Sequence, residues 1–137
     1  MYLIDTMVFS ELYRQRRHPG FMQWLGDKPE NELFVSAITI GEIERGIERQ
    51  RRRDPSFAVS LLAWLERSIV AFDERILPVT MTVARRWGQL SSRLGHEGVD
   101  LLIAATALEH GFTVATRNVR HFAPTGVAVE NPFERTP

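Results

Sequence analysis

The chain has 137 residues, a formal net charge of zero and no cysteine, with 44% hydrophobic and 25% charged residues. That profile fits one globular domain over residues 1–137, large enough to bury a core without disulfides or a structural metal. Thiolate zinc sites, cysteine nucleophiles and a global basic field are excluded. Because Lys28 is the single lysine among 17 cations, Schiff-base and P-loop chemistry are nearly excluded as well.

In chain order, Tyr2–Ile4 reads as a buried strand, followed by a helix over 7–17. Leu33–Ser36 is a second strand. The helix over 39–52 sets Ile40, Ile43 and Ile47 on one face, and the helix over 57–72 aligns Phe57, Leu61, Leu65 and Phe72. A strand at 76–79 precedes helices over 80–94 and Val99–His110, the second closed by Gly111. Residues 112–115 form a strand and 127–129 a weaker one. Pro19-Gly20, Pro29, Pro55 and residues 124–126 read as turns. No basic run precedes the first apolar residues, as a secretory signal requires, and the longest weakly polar run, 101–108, is too short to cross a bilayer. Strands alternating with helices predict an α/β fold, a central parallel sheet with helices on both faces, whose ligands bind at the carboxyl ends of the strands.

The polar residues expected at that end carry the functional reading. Asp5 ends the first strand, where a carboxylate also serves as an ordinary helix cap. Thr39 and Glu42 have the spacing of a capping box. Asp100 lies in a helical first turn, favoured by the helix dipole, at the edge of an apolar core. Thr116 and Asn118 follow the fourth strand, in ordinary turn chemistry. Singly, each has a structural explanation. Together, three acids at one end of a sheet repel one another unless a cation is present, and clustered hard oxygens suit Mg²⁺ or Mn²⁺. Such a metal activates water and neutralises charge on a phosphodiester. His96, four residues before Asp100, reads as a solvated loop histidine. Arg45, Arg49, Arg51, Arg52 and Arg53 follow Glu42, and Arg14, Arg16 and Arg17 are expected to end the first helix. Helix dipoles explain part of this placement and a phosphate-binding rim the rest, with Glu44 and Glu48 interrupting it.

Asp5-Thr, the segment 36–46 (SAITIGEIERG), the segment 100–107 (DLLIAATA) and the segment 114–122 (VATRNVRHF) together resemble the PIN-domain ribonucleases, above all the VapC-type toxins. The likeness extends over nearly the whole chain, including Asn131-Pro-Phe133. It implies an α/β/α sandwich around a parallel sheet and a cytoplasmic, Mg²⁺- or Mn²⁺-dependent endoribonuclease. It also implies a homodimer silenced by a cognate antitoxin, operator DNA met only through that antitoxin, and no membrane. Asp5, Glu42 and Asp100 match the family's first three acids and would hold the metal. Thr116 matches a supporting hydroxyl, and Asn118 stands where many members have a fourth acid. Met7 replaces a usual asparagine, and His121 stands where many members have aspartate. Three carboxylates instead of four imply one tightly held metal, with any second arriving with RNA.

The rival readings fare worse. A receiver domain needs a late lysine, a haloacid-dehalogenase phosphatase needs an acid at Met7, and a dinucleotide-binding turn needs glycine after Asp5. The serious alternative is a weakened nuclease acting as a binding protein. Phe9, Leu12, Tyr13, Ile43 and Ile47 are either core or an antitoxin-helix surface, and the helix bearing Trp64 is either core or a dimer face.

Overall fold

The computed structural model describes residues 1–134, so the last three positions of the expected domain lie outside the described residues. Strands β1 (Tyr2–Ile4), β2 (Leu33–Ser36), β3 (Ile76–Leu77), β4 (Thr113–Ala115) and β5 (Val129–Glu130) form one sheet, all pairs parallel, in the order β3-β2-β1-β4-β5. The helices are α1 (Thr6–Glu11), α2 (Pro19–Gly26), α3 (Ala37–Arg53), α4 (Pro55–Phe72), α5 (Met81–Leu94), α6 (Val99–His110) and α7 (Val119–Phe122).

Alternation along β1 explains the layers. Leu3 points into one apolar cluster with Ile103, Ala104, Val114 and Phe122, under α5 and α6. Ile4 points into the other with Phe9, Phe21, Val35, Ile47 and Leu65, under α1 to α4. Both residues are buried, so β1 is the middle of an α/β/α sandwich, as the near-continuous apolar run predicts. The chain winds outward from β1 through β2 to β3, then crosses over by α5 and α6 to β4 on the other side of β1. The order of winding therefore reverses between β1 and β4. Just beyond their carboxyl ends, adjacent connections leave in opposite directions and a crevice opens.

Several boundaries differ from expectation. β3 stops at Leu77 because Pro78 cannot donate to the ladder. β4 starts at Thr113, and β5 falls on Val129–Glu130 instead of 127–129. α1 ends at Glu11, not at residue 17, so Arg14, Arg16 and Arg17 lie in a loop and do not end a helix. Glu11 is buried, and its Oε1 accepts the His18 amide at 3.1 Å, turning the chain into an unexpected helix, α2. Pro19 is not a plain turn residue: it occupies the first turn of α2, whose cap is His18. The longest apolar helical stretch is Pro55–Arg75, not 101–108, and by length and composition alone it is long enough to cross a bilayer. Here α4 packs against α3, and Trp64 contributes to a ring cluster with Phe9 and Tyr13 at centroid distances of 5.1 and 5.4 Å. Phe9, Ile43 and Ile47 are core, while Leu12 and Tyr13 are half-buried.

The closing segment also packs inward. Asn131 Oδ1 accepts the Phe133 amide at 2.9 Å, and the Phe133 ring stacks on Phe21 with centroids 5.1 Å apart. The Arg117 guanidinium lies 3.7 Å from the centre of that same ring.

Candidate active site at the carboxyl end of the sheet

Asp5 leaves β1 at the crevice and caps α1, its Oδ1 accepting the Val8 amide at 2.9 Å. Its Oδ2 accepts the Thr116 hydroxyl from the end of β4 at 2.5 Å, a contact between residues 111 apart in sequence. Thr116 in turn accepts the Asn118 amide at 2.9 Å. Both Asp5 and Thr116 are buried. Burial pushes the Asp5 pKa above the ordinary carboxylate value. The two hydrogen bonds oppose that rise, and the charges of Asp100 and Glu42 add to it. The three acids are thus close enough to feel one another.

Glu42 arrives on α3, but not through the expected capping box. The cap of α3 is Ser36, whose hydroxyl accepts the Ile38 amide at 3.1 Å. Thr39 is buried within the helix and shares a hydrogen bond with the Thr6 hydroxyl at 3.1 Å. Thr6 donates to Glu42 Oε1 at 2.5 Å, and Arg45 reaches Glu42 Oε2 at 3.5 Å. Thr6 is a partner of Glu42 that sequence reasoning did not single out. Its signal was its place directly after Asp5.

Asp100 stands in the first turn of α6, with its side chain 37% exposed at the crevice mouth, wetter than a position at the core edge implies. His121 Nδ1 lies 3.3 Å from Asp100 Oδ2, so His121 joins the site while His96 does not. His96 Nδ1 instead accepts the Gly98 amide at 3.3 Å within its own exposed loop. The two departures from the family pattern touch: Asn118 Nδ2 donates to the thioether of Met7 at 3.6 Å.

The donor set fits a hard divalent cation. It is carboxylate and hydroxyl oxygen from β1, α3, α6 and β4, and the Asp5 carboxylate, raised in pKa mainly by burial, also feels the charges of Asp100 and Glu42, which a cation would offset. Among the described residues, however, no three of His, Cys, Asp or Glu gather tightly enough to hold a metal by themselves. Asp5 feels the charges of Glu42 and Asp100, yet the three do not form a three-carboxylate cage. That arrangement suits an ion that takes one or two carboxylates and keeps several waters.

A family model described as PIN domain matches residues 2–126. Plasmid stability protein StbB of Pseudomonas syringae pv. tomato is 34% identical over 98% of this chain and 99% of its own. VapC ribonuclease Y4jK of Sinorhizobium fredii is 30% identical over the same shares, 98% and 99%. Toxin FitB of Neisseria gonorrhoeae is 34% identical over 97% and 99%. The solved structure of FitAB bound to IR36 DNA fragment matches with a TM-score of 0.86 at 34% identity, covering 100% of this chain and 99% of that one.

Proposed function

The chain belongs to the PIN-domain family, and on that premise we propose that it is a divalent-metal-dependent endoribonuclease, the toxin of a toxin–antitoxin pair. The observation that carries this reading is the buried Asp5 carboxylate, held by the Thr116 hydroxyl at the β1/β4 crevice and raised in pKa by burial first and by the charges of Asp100 and Glu42 second. Asp5 and Asp100 would hold Mg²⁺ or Mn²⁺ directly, and Glu42 through water. When bound, the cation lowers the pKa of a water and offsets charge on the phosphodiester.

The protein groups prepare that chemistry. The Val8 amide and the Thr116 hydroxyl fix both oxygens of Asp5, so its carboxylate cannot rotate. Thr6 holds Glu42 in the same way and leaves its second oxygen toward Arg45. Thr116 orients the ligand Asp5 and Asn118 orients ligand or water, while nearby arginines position the RNA backbone. The complex of FitB with FitA on DNA supports a cognate antitoxin as partner, with operator DNA reached through it. A homodimer and a cytoplasmic place of action complete the reading. The Met7–Asn118 contact favours a second one, a weakened nuclease retained for binding, because it occupies two positions where the family usually presents polar groups to the site.

Cleavage of structured RNAs by antitoxin-free protein in Mg²⁺, Mn²⁺ and EDTA, with Asp5→Asn alongside, separates the two. Specific cutting, lost in EDTA and in the variant, is expected. Equal cutting by Asp5→Asn would remove the assignment, and no cutting in either metal by folded protein would leave the binding role.

A further inference from the structure

α3 leads away from the crevice toward the opposite end of the sheet, and its polar residues are sorted by side. Successive residues turn by about 100° along a helix of 3.6 residues per turn. Glu42, Arg45, Arg49, Arg52 and Arg53 therefore lie within one stripe, with Gly46 beside it. Glu44 falls on another side, and Glu48 at the stripe's flank is already tied to Arg51 at 2.9 Å. The acids that interrupt the basic run in sequence thus leave the stripe itself cationic beyond Glu42. Arg45, Arg49, Arg52 and Arg53 are all exposed. Among the described residues, Arg49, Arg52 and Arg53 have no ion-pair partner. The helix dipole accounts for cations in the last turn, which holds Arg51, Arg52 and Arg53, but not for Arg45 and Arg49 in the helix middle.

We propose that this stripe is a track for one RNA strand leaving the active site, a reading that rests on the ribonuclease function above. Arg45, Arg49 and Arg53 are four residues apart, a rise of about 6 Å per step at 1.5 Å per residue. That step is comparable to the distance between neighbouring phosphates on an extended strand. Each guanidinium forks onto phosphate oxygens. A side chain at residue 46 would meet the strand, but Gly46 leaves open space where a Cβ would stand. Arg45 joins track to site through its contact with Glu42. The phosphates bound this way lie on one side of the scissile bond and fix the register of the strand without reading its bases.

The test uses the Asp5→Asn chain, free of antitoxin, and a labelled single-stranded oligoribonucleotide. Fluorescence anisotropy is measured over a range of salt, with Arg49→Ala/Arg53→Ala and Arg49→Lys/Arg53→Lys added to that background. The alanine pair is expected to lose about tenfold or more in affinity and to lower the slope of log K against log salt by about 1 to 2. The lysine pair keeps most of the slope, and Arg85→Ala on α5 leaves binding unchanged. Circular dichroism melts establish that each variant is folded. Unchanged affinity and slope in the alanine pair would overturn the track while leaving the nuclease intact, provided the wild-type chain still cuts RNA in Mn²⁺. A parent chain that binds no RNA would also overturn the track, and metal-dependent cleavage by wild type then judges the functional reading separately.

Discussion

Asp5 is the residue on which stability and the proposed activity pull apart. Its pKa is raised above the ordinary carboxylate value, with burial the largest cause. In the pH window between the unfolded value and the raised folded one, the native state binds more protons than the unfolded state, so stability falls as pH rises through the window. Without divalent metal, Asp5→Asn removes that loss, since Asn Oδ1 still accepts the Val8 amide. Its melting temperature is expected to exceed the wild type's at neutral pH, and the gap is expected to close in acid. A gap that widened on acidification would show that Asp5 ionises favourably in the fold. Met7 and Asn118 touch, so their substitutions are expected not to add. Asn118→Asp alone places a new carboxylate against a thioether. With Met7→Asn it regains an amide partner, and the double variant is expected to cleave faster than the sum of the single effects on the barrier predicts. Additive rates across the four proteins would mean that the contact carries no coupling.

Elements show where local pattern suffices. β1, β2 and α6 are legible to the residue because each is bounded by its own chemistry: an apolar run ending at Asp5 or Ser36, and Gly111 in the left-handed conformation (φ 69°) behind α6. α1 is misread because its apolar spacing continues past Glu11, and only tertiary structure calls the Glu11 side chain away to the His18 amide. The start of α3 is misread by two residues and its cap by three. Ser36 and Thr39 are both good caps, and the choice falls to Ser36 because Thr39 is required inside, on Thr6. The candidate acids are legible from local chemistry alone: Asp5 from its place after β1, Glu42 and Asp100 from theirs on helices. Thr6 on Glu42, His121 on Asp100 and Met7 against Asn118 are not, because those contacts join residues 36, 21 and 111 apart in sequence. Since α3 carries both Glu42 and the arginine stripe, its cap matters beyond its own turn. Ser36→Ala is expected to cost about 1 kcal/mol in urea unfolding, with a smaller effect on RNA affinity. A loss several times larger would indicate that Ser36 supports more than the helix start.

At the scale of the whole molecule, the sheet joins two apolar layers and gathers acids from α3 and α6 beside the ends of β1 and β4. The acids repel in the fold and far less in the unfolded chain, so a cation that binds only the folded state stabilises it by mass action. Mn²⁺ at about 100 times its dissociation constant is expected to add about 2.7 kcal/mol to unfolding, reversed by EDTA and absent in an Asp5→Asn/Asp100→Asn chain. Equal stabilisation of that double variant would place the ion elsewhere.

The stacking of Phe133 reaches further than packing. Arg117, clasped on that ring, sits between Thr116 and Asn118, so the turn that steadies Asp5 is moored to α2 by a segment beyond the reach of the matched family model. A fusion tag joined just behind Phe133, or a truncation ahead of Asn131, would therefore slacken the turn that steadies Asp5 while every acid stayed in place. An inert preparation bearing such a tag would be reporting on its cloning design, not on its chemistry.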